Sequence, residues 1–447
     1  MRTAADIKAP LRKIFEAAVR AASPYAAVRE NLRLARSAGK SVLKIKNTSI
    51  GLEKGGRIFV IGAGKGAPAM ARAVEGILGK RISGGLVVTK YGHSLPLKSM
   101  DVVEAGHPIP DRNGIRAAER IIRIAEDAGE GDLVLFLLTG GASALLPAPA
   151  GGITLKEKQA VSRLLINSGA SINEINAVRK HLSRLKGGRL AELAWPARVL
   201  TLIISDVVGS DLSSIGSGPT APDPSTFGDC IRIIGKYGLK EKVPANALKL
   251  LNGGAKGDEA ETPKPGHKAF SRTANIVLAD NLTALLAAKE KAALLGYRPL
   301  ILSSTATGNT REAARLFSSV LMEIKRSGNP ARPPVCLLMG GETTLKVAGK
   351  GKGGRNQEFA LSAALALGGE EGIYILSAGT DGTDGPTDAA GAFALPGTLK
   401  KASALGLDPA DFLSRNDSYN FFKPLGGLFM TGPTGTNVMD IAIGISE

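Results

Sequence analysis

The chain has 447 residues, with 57 Lys+Arg against 40 Asp+Glu for a formal charge of +17, 44% hydrophobic residues and few aromatics. The apolar fraction excludes a disordered chain, and a chain of this length holds about two or three domains, each with its own core. Cys230 and Cys336 are the only cysteines, far apart in sequence, which excludes a disulfide framework and a cysteine-based zinc site.

The opening MRTAADIKAPLRKIFEAA breaks any apolar signal core with charges, and the longest apolar runs are strand-sized. A soluble, cytoplasmic protein with no membrane partner is expected. The first 50 residues hold 11 Lys+Arg and 3 Asp+Glu. Without stacking aromatics or a base-reading motif this is a solvated basic helical face rather than a nucleic-acid arm. Near an anionic substrate such charge would also raise the local ligand concentration.

Two amphipathic helices are expected first, Ala9 to Ala22 and, after the Ser23-Pro24 start signal, a second to about Ala38, with Gly39 to Ser41 as its stop. Short β-branched runs then alternate with helical stretches. Strands are expected at Arg57 to Ile61, Leu86 to Val88, Asp101 to Val103, Leu133 to Leu138 and Val199 to Ile204. Helices are expected at Ala67 to Leu78, Asn113 to Ala128, Leu155 to Ser168 and Ile172 to Leu185. Alternation with near-continuous apolar strands predicts a parallel sheet covered on both faces. From Asn252 to Ser271 the composition turns to Gly, Pro, Lys and acids, a domain boundary. The expected division is 1–255, a linker 256–271, and 272–447. Beyond the boundary a second α/β domain is expected, with strands at Ala274 to Leu278, Pro299 to Leu302, Val335 to Met339, Thr344 to Val347 and Ile373 to Leu376. Its helices are expected at Asn281 to Leu295, Asn309 to Lys325 and Gln357 to Leu367.

In open α/β sheets ligands bind outside the carboxyl ends of strands, so the loops after the strands carry the chemistry. The first, with Gly62, Gly64, Lys65 and Gly66, satisfies a relaxed dinucleotide fingerprint, but the position for a ribose-binding acid reads Thr89-Lys90-Tyr91. Lys65 points instead to anion binding at a helix start; tight strand-to-helix packing is the plainer role of the glycines. No P-loop is present: Gly39-Lys40-Ser41 lacks the glycine five residues upstream, where Leu34 stands. The second loop, Thr139 to Ala144, places Gly140, Gly141 and Ser143 where a backbone nest and a hydroxyl suit nucleotide phosphates.

The third runs from Ser205 and Asp206 through Asp211 to Thr220. An Asp directly after an apolar strand is placed either like the Mg²⁺ or base carboxylates of phosphoryl-transfer enzymes or as a simple cap. In the second half, Glu342 follows a strand, and Arg355 sits among glycines at a helix start, where a guanidinium can clamp a carboxylate or phosphoryl group. Asp381, Asp384 and Asp388 lie in a Gly/Thr loop that lacks EF-hand spacing; they hold Mg²⁺ or water, or form turns. The four histidines show no metal or triad spacing, and no Gly-x-Ser-x-Gly elbow supports an acyl hydrolase.

Taken together these loops resemble the class II glycerate kinases, which carry a C-terminal MOFRL domain. The resemblance runs in order through GAGKGAPAMARA (62–73), EAGHPIPD (104–111), TGGASALLPAP (139–149), NAVRKHLSRLKGGRLA (176–191), SDVVGSDLSSIGSGPTAPD (205–223), GGETT (340–344), GGRNQE (353–358), TDGTDGPTDAAG (380–391), NDSYNFF and TGPTGTNVMD. It implies a Rossmann-like N-terminal domain, a smaller α/β MOFRL domain, an interdomain active site, and transfer of phosphate from ATP to D-glycerate to give 2-phosphoglycerate. Lys65 and Arg355 would be the principal active-site cations, with Asp206 as a third catalytic group. Gly62, Gly64, Gly66, Gly140, Gly141, Ser143, Ser205, Asp211, Glu342, Asp381 and Asp384 would line the substrate and nucleotide sites, and Asp206 and Asp388 would hold Mg²⁺. A homodimer is a family-level expectation. Two rivals remain: a hydroxypyruvate or tartronate reductase using NAD(P)H, and a non-catalytic sugar-phosphate-binding protein.

Overall fold

The computed structural model describes residues 4–37 and 40–447, so Ala38 and Gly39, the expected helix end and stop, lie outside the described residues. The chain divides into two compact units. One comprises Pro24–Ser205 and Ser210–Leu278; the other gathers Asp206–Gly209 and Ala279–Glu447 with the chain before Pro24.

In the first unit a helix, Pro24–Asn31, gives way to a three-stranded antiparallel sheet of β1 (Leu32–Ser37), β2 (Lys40–Ile45) and β3 (Thr48–Leu52). The expected second helix therefore ends at Asn31. The main sheet follows, from β4 (Ile58–Ala63), β5 (Gly84–Lys90), β6 (Asp101–Ala105), β7 (Leu133–Leu138), β8 (Arg198–Ile204) and β9 (Thr273–Ala279). Its order is β6-β5-β4-β7-β8-β9, and the pairs from β6 through β8 are parallel. This is the Rossmann arrangement, with its topological switch point between β4 and β7. All six residues of β7 are buried, as a strand covered on both faces requires. Helices such as Ala67–Leu78 and Arg112–Asp127 cover the sheet, the latter started by Asp111, whose side chain accepts from the Gly114 N–H.

The segment expected as a linker packs against this unit. Thr262 and Pro263 are buried, and Thr262 Oγ1 donates to Asp223 Oδ2 at 3.0 Å. Asp223 also takes the ammonium of Lys180 at 3.1 Å, both side chains being almost fully buried. Burial opposes its ionisation, yet Lys180, Ser225 and His181 outweigh that and hold the carboxyl below its ordinary range. Substituting Asp223→Ala would strand a buried lysine, and the expected loss is about 3–5 kcal/mol in a urea titration. A midpoint that does not move would show that Lys180 finds another partner.

The second unit has a mixed sheet of β10 (Arg298–Ala306), β11 (Val335–Gly341), β12 (Ile373–Gly379), β13 (Gly391–Ala394), β14 (Leu428–Phe429) and β15 (Asp440–Ser446). Its order is β10-β11-β15-β12-β13-β14; β10 and β11 are parallel, and the remaining pairs antiparallel. The helices Thr310–Ser327 and Arg355–Leu367 build its core around Phe317, Phe359, Leu337 and Ile375. The expected strand Thr344 to Val347 is absent. Only Thr344 makes a bridge, to Asn309, its N–H donating to Gly308 O, and beyond the segment the N–H groups of Ala348 and Gly349 go to the Asn416 side chain. No helix among the described residues is long and apolar enough to cross a membrane.

Candidate functional site

In the first unit two glycine loops leave the sheet side by side at the switch point. The Thr139 N–H donates to Ala63 O at 3.0 Å, the Lys65 N–H to Gly140 O at 2.9 Å, and the Gly66 N–H to Thr139 Oγ1 at 3.0 Å. Gly64 has φ +133°, and a Cβ there would fall 2.1 Å from Thr139 Oγ1, so only glycine lets the loops approach this closely. Gly62 and Gly66 are likewise hemmed in, by Leu137 and by Pro24. The backbone of Lys65 is thereby fixed, while its half-buried side chain makes no hydrogen bond or ion pair among the described residues.

Across this turn, Gly141 (φ +91°) lies against the His107 ring. Burial, then the positive charges of Lys65 and Lys90, push the His107 imidazole down to about 4, so it is neutral at physiological pH. Ser143 shares a hydrogen bond of 3.2 Å with Ser217, and its Oγ and backbone O both accept from Lys186 Nζ at 2.9 Å. Lys186 was not among the residues singled out from sequence. Ser205 is buried at the end of β8, and Asp206, half-buried, opens the short stretch that belongs with the second unit. Asp211 spends its carboxylate on its own turn, accepting from Ser213 N at 3.1 Å, Ser213 Oγ at 2.8 Å and Ser214 Oγ at 2.6 Å.

In the second unit Arg355 is the first residue of its helix. Asp384 caps that helix from outside, accepting from Asn356 N at 3.0 Å and Gln357 N at 2.8 Å. A Cβ on Gly354 would sit 2.4 Å from the Asp384 carboxyl, which explains the glycine there. The guanidinium is gripped on two sides: Nε and Nη2 donate to Asp440, the latter at 3.2 Å, and Nη1 reaches Glu342 Oε1 at 2.8 Å. Asn356 Nδ2 supports Asp440 from behind at 2.8 Å. Asp440, 85 residues from Arg355, is the second residue that sequence reading missed.

These groups face a cavity of about 690 Å³ lined by Glu342, Thr343, Arg355, Asp381, Asp384 and Asp440. Burial opposes the charge on Arg355, but Asp440 and Glu342 raise its pKa further. Burial drives the Asp440 and Glu342 carboxyls above their ordinary values against the pull of Arg355, and pushes Asp384 up to about 6 against its two backbone N–H bonds. Asp381 accepts from the Thr383 N–H at 3.0 Å. Asp388 does not line this cavity; its exposed carboxylate takes the Tyr419 hydroxyl at 2.8 Å.

Among the described residues no group of three or more His, Cys, Asp and Glu side chains could hold a metal ion. Mg²⁺ is, however, commonly held by one or two carboxylates together with substrate phosphates. Glu342 and Asp381 offer such oxygens, and the crowding of carboxylates against one arginine is a field that a divalent cation would relieve.

A cationic glycine-loop site at a Rossmann switch point and an arginine–carboxylate site after the strands of a second α/β unit define a protein that handles anionic metabolites and phosphates. Comparisons with known proteins make this specific. A domain family of unknown function, DUF4147, matches residues 10–252, and the MOFRL family matches residues 335–440. A D-glycerate 2-kinase of Thermotoga maritima is 46% identical over 391 residues, 87% of this chain and 90% of its own. A chain of Agrobacterium vitis provisionally named a hydroxypyruvate reductase is 43% identical over 433 residues, covering 96% of this chain and 92% of its own. The crystal structure of glycerate kinase from Thermotoga maritima superposes with a TM-score of 0.87 at 41% identity, covering 98% of this chain and 99% of that one. The chain belongs to the MOFRL-type glycerate kinase family.

Proposed function

We propose that the chain transfers the terminal phosphoryl group of ATP to the 2-hydroxyl of D-glycerate, giving 2-phosphoglycerate and ADP. The observation that carries the reading is the likeness to a D-glycerate 2-kinase over most of both chains, together with the Lys65 ammonium at the switch point, which has no partner among the described residues. Phosphoryl transfer depends on positioning and on neutralising charge spread over the transferring oxygens. Lys65 supplies positive charge to that group. The Thr139–Ser143 turn offers backbone N–H groups and a hydroxyl to the phosphates of ATP. Arg355 uses three of its five N–H donors on Asp440 and Glu342, which fixes the plane of the guanidinium and leaves donors for the glycerate carboxylate. Mg²⁺, held by Glu342 and Asp381, would add charge neutralisation on the phosphate oxygens.

The test is product analysis. Incubated with ATP, Mg²⁺ and D-glycerate, the protein is expected to form ADP and 2-phosphoglycerate in equal amounts, separable from 3-phosphoglycerate; 3-phosphoglycerate, or no product, overturns the assignment. The name of the Agrobacterium relative keeps reduction of hydroxypyruvate as a second reading. Against it, β5 ends in Lys90 where a ribose-binding acid is needed for NAD. Oxidation of NADH or NADPH by hydroxypyruvate, followed by absorbance, decides between the two.

A further inference from the structure

The helices Thr310–Ser327 and Arg355–Leu367 pack against each other, and residues of both line a cavity of about 300 Å³ that shares no residue with the cavity around Arg355. Helical spacing builds its walls. Arg311 and Arg315 stand one turn apart on the first helix, and Ser362, Leu365 and Ala366 share a face of the second, about two turns beyond Arg355. Leu413 completes the lining, which holds no Asp or Glu.

The three polar side chains of this cavity are incompletely used. Ser362 is 4% exposed, and its Oγ has no hydrogen-bond partner among the described residues. A buried hydroxyl left unmatched carries a cost that a partner would remove. Arg311 spends Nε on Glu358 Oε1 at 2.6 Å and Nη2 on Leu413 O at 2.7 Å, which leaves Nη1 without a bond among the described residues. Arg315 Nη1 meets Glu312 at 3.0 Å, but the two side chains are 66% and 68% exposed, and an ion pair so open to water contributes little and yields to a competing anion. Two guanidinium forks, a hydroxyl and a short apolar wall suit an oxyanion carried on a small carbon body.

The bond from Arg311 to Glu358 leads back toward Arg355. Glu358 also accepts from Asn416 Nδ2 at 3.1 Å, and Asn416 Oδ1 takes the N–H groups of Ala348 at 2.8 Å and Gly349 at 3.0 Å. Both belong to the loop between Glu342 and Arg355, whose Val347 lines the cavity around that arginine. An anion that competes for Arg311 therefore loosens an anchor of that loop.

We infer that the cavity between these helices is an effector site for a phosphate group, free or carried as an ester by a small metabolite, read by Arg311, Arg315 and Ser362. Binding there stands on the cavity alone; its effect on turnover rests on the kinase reading.

Calorimetric titration of the full-length protein with inorganic phosphate, and separately with butyl phosphate, tests the site. Both are expected to bind, butyl phosphate the more tightly because Leu365 and Leu413 receive its chain; tighter binding of inorganic phosphate identifies the free anion as the ligand. Arg315→Gln, at an exposed position where folding is not at stake, is expected to weaken either ligand about tenfold, the loss of one charge-assisted contact. Ser362→Ala is expected to weaken both about threefold, with an unfolding midpoint no lower than that of the wild type. Saturating butyl phosphate is expected to raise the wild-type KM for D-glycerate to a plateau about fivefold above its ligand-free value, a rise absent from Arg315→Gln. Phosphate held in the cavity around Arg355 would instead be retained by Arg315→Gln and raise KM without a plateau. Affinity unchanged in both variants, or a KM that climbs without limit in wild type and Arg315→Gln alike, overturns the proposal even if wild type makes 2-phosphoglycerate. A KM that does not respond, in an enzyme that binds through Arg315, overturns the effector role. Wild type that binds butyl phosphate through Arg315 and Ser362 but phosphorylates no glycerate leaves the site standing and removes the kinase reading instead.

Discussion

Lys65→Ala is expected to lower kcat/KM for D-glycerate phosphorylation by about 10²- to 10³-fold, the effect of removing one positioned charge from a transition state that carries spread negative charge. Its stability should be that of the wild type. The ammonium has no partner to strand among the described residues, and the loop that carries it is held by the Lys65 N–H to Gly140 O and by the Gly66 N–H to Thr139 Oγ1 rather than by the Lys65 side chain. A thermal unfolding midpoint equal to wild type beside the kinetic loss is therefore the expected pair of results. Near-full glycerate-dependent ADP formation by Lys65→Ala would remove Lys65 from the chemistry.

Arg355→Ala should behave differently, because Arg355 holds two carboxylates. Its loss leaves the largely buried Asp440 and the partly covered Glu342 without a countercharge. The expected destabilisation is about 3 kcal/mol, the low end for a broken buried pair since the Arg355 side chain is still 35% exposed. The pH dependence has a definite sign. Asp440 already titrates above its ordinary value, and removing Arg355 raises it again. The folded variant then binds a proton that the unfolded chain has released, so stability is present below the ordinary carboxylate range and is lost as pH rises through the raised value. Urea unfolding at mildly acidic and at neutral pH should show the deficit growing toward neutrality. Adding Asp440→Asn removes the stranded charge, so the double variant should regain stability while remaining inactive. Recovery of activity along with stability would mean that Arg355 is a scaffold and not a ligand of the substrate.

The strands of the Rossmann-like unit were readable because each holds a short apolar, β-branched-rich run, fullest in Leu133–Leu138 and Arg198–Ile204. The strands β1 and β2 were hidden because exposed Arg33 and Arg36 stand three residues apart, a spacing that serves a helix period as well as a strand, and β2 offers only Leu43 and Ile45 as a short alternation. The four-residue β13, Gly-Ala-Phe-Ala, is too short to stand out from its loop, whereas β15 carries an alternation of Ile441, Ile443 and Ile445 that the reading passed over beside the glycine-rich turn before it. At the site, glycine spacing marked the turns around Lys65, Ser143 and Arg355. Asp384 was noticed as an acid in a loop, yet its visible task is a helix cap that only the fold could supply. Lys158 and Lys186 read in the sequence as ordinary surface charges; their burial exists only after packing. Asp440 escaped because nothing local ties it to Arg355.

The position of β15 bears on how the protein is made. This strand runs between β11 and β12 and pairs with both along its whole length, so during synthesis those two emerge with open edges and wait for a partner encoded about a hundred residues after β11. Such late, long-range closure is slow and leaves unpaired strands exposed to wrong association. Asp440 is the first residue of the arriving strand. Nascent chains therefore gain the grip on Arg355 only at the moment the sheet is sealed, so the arginine–carboxylate cluster of the second unit is complete only when its folding is.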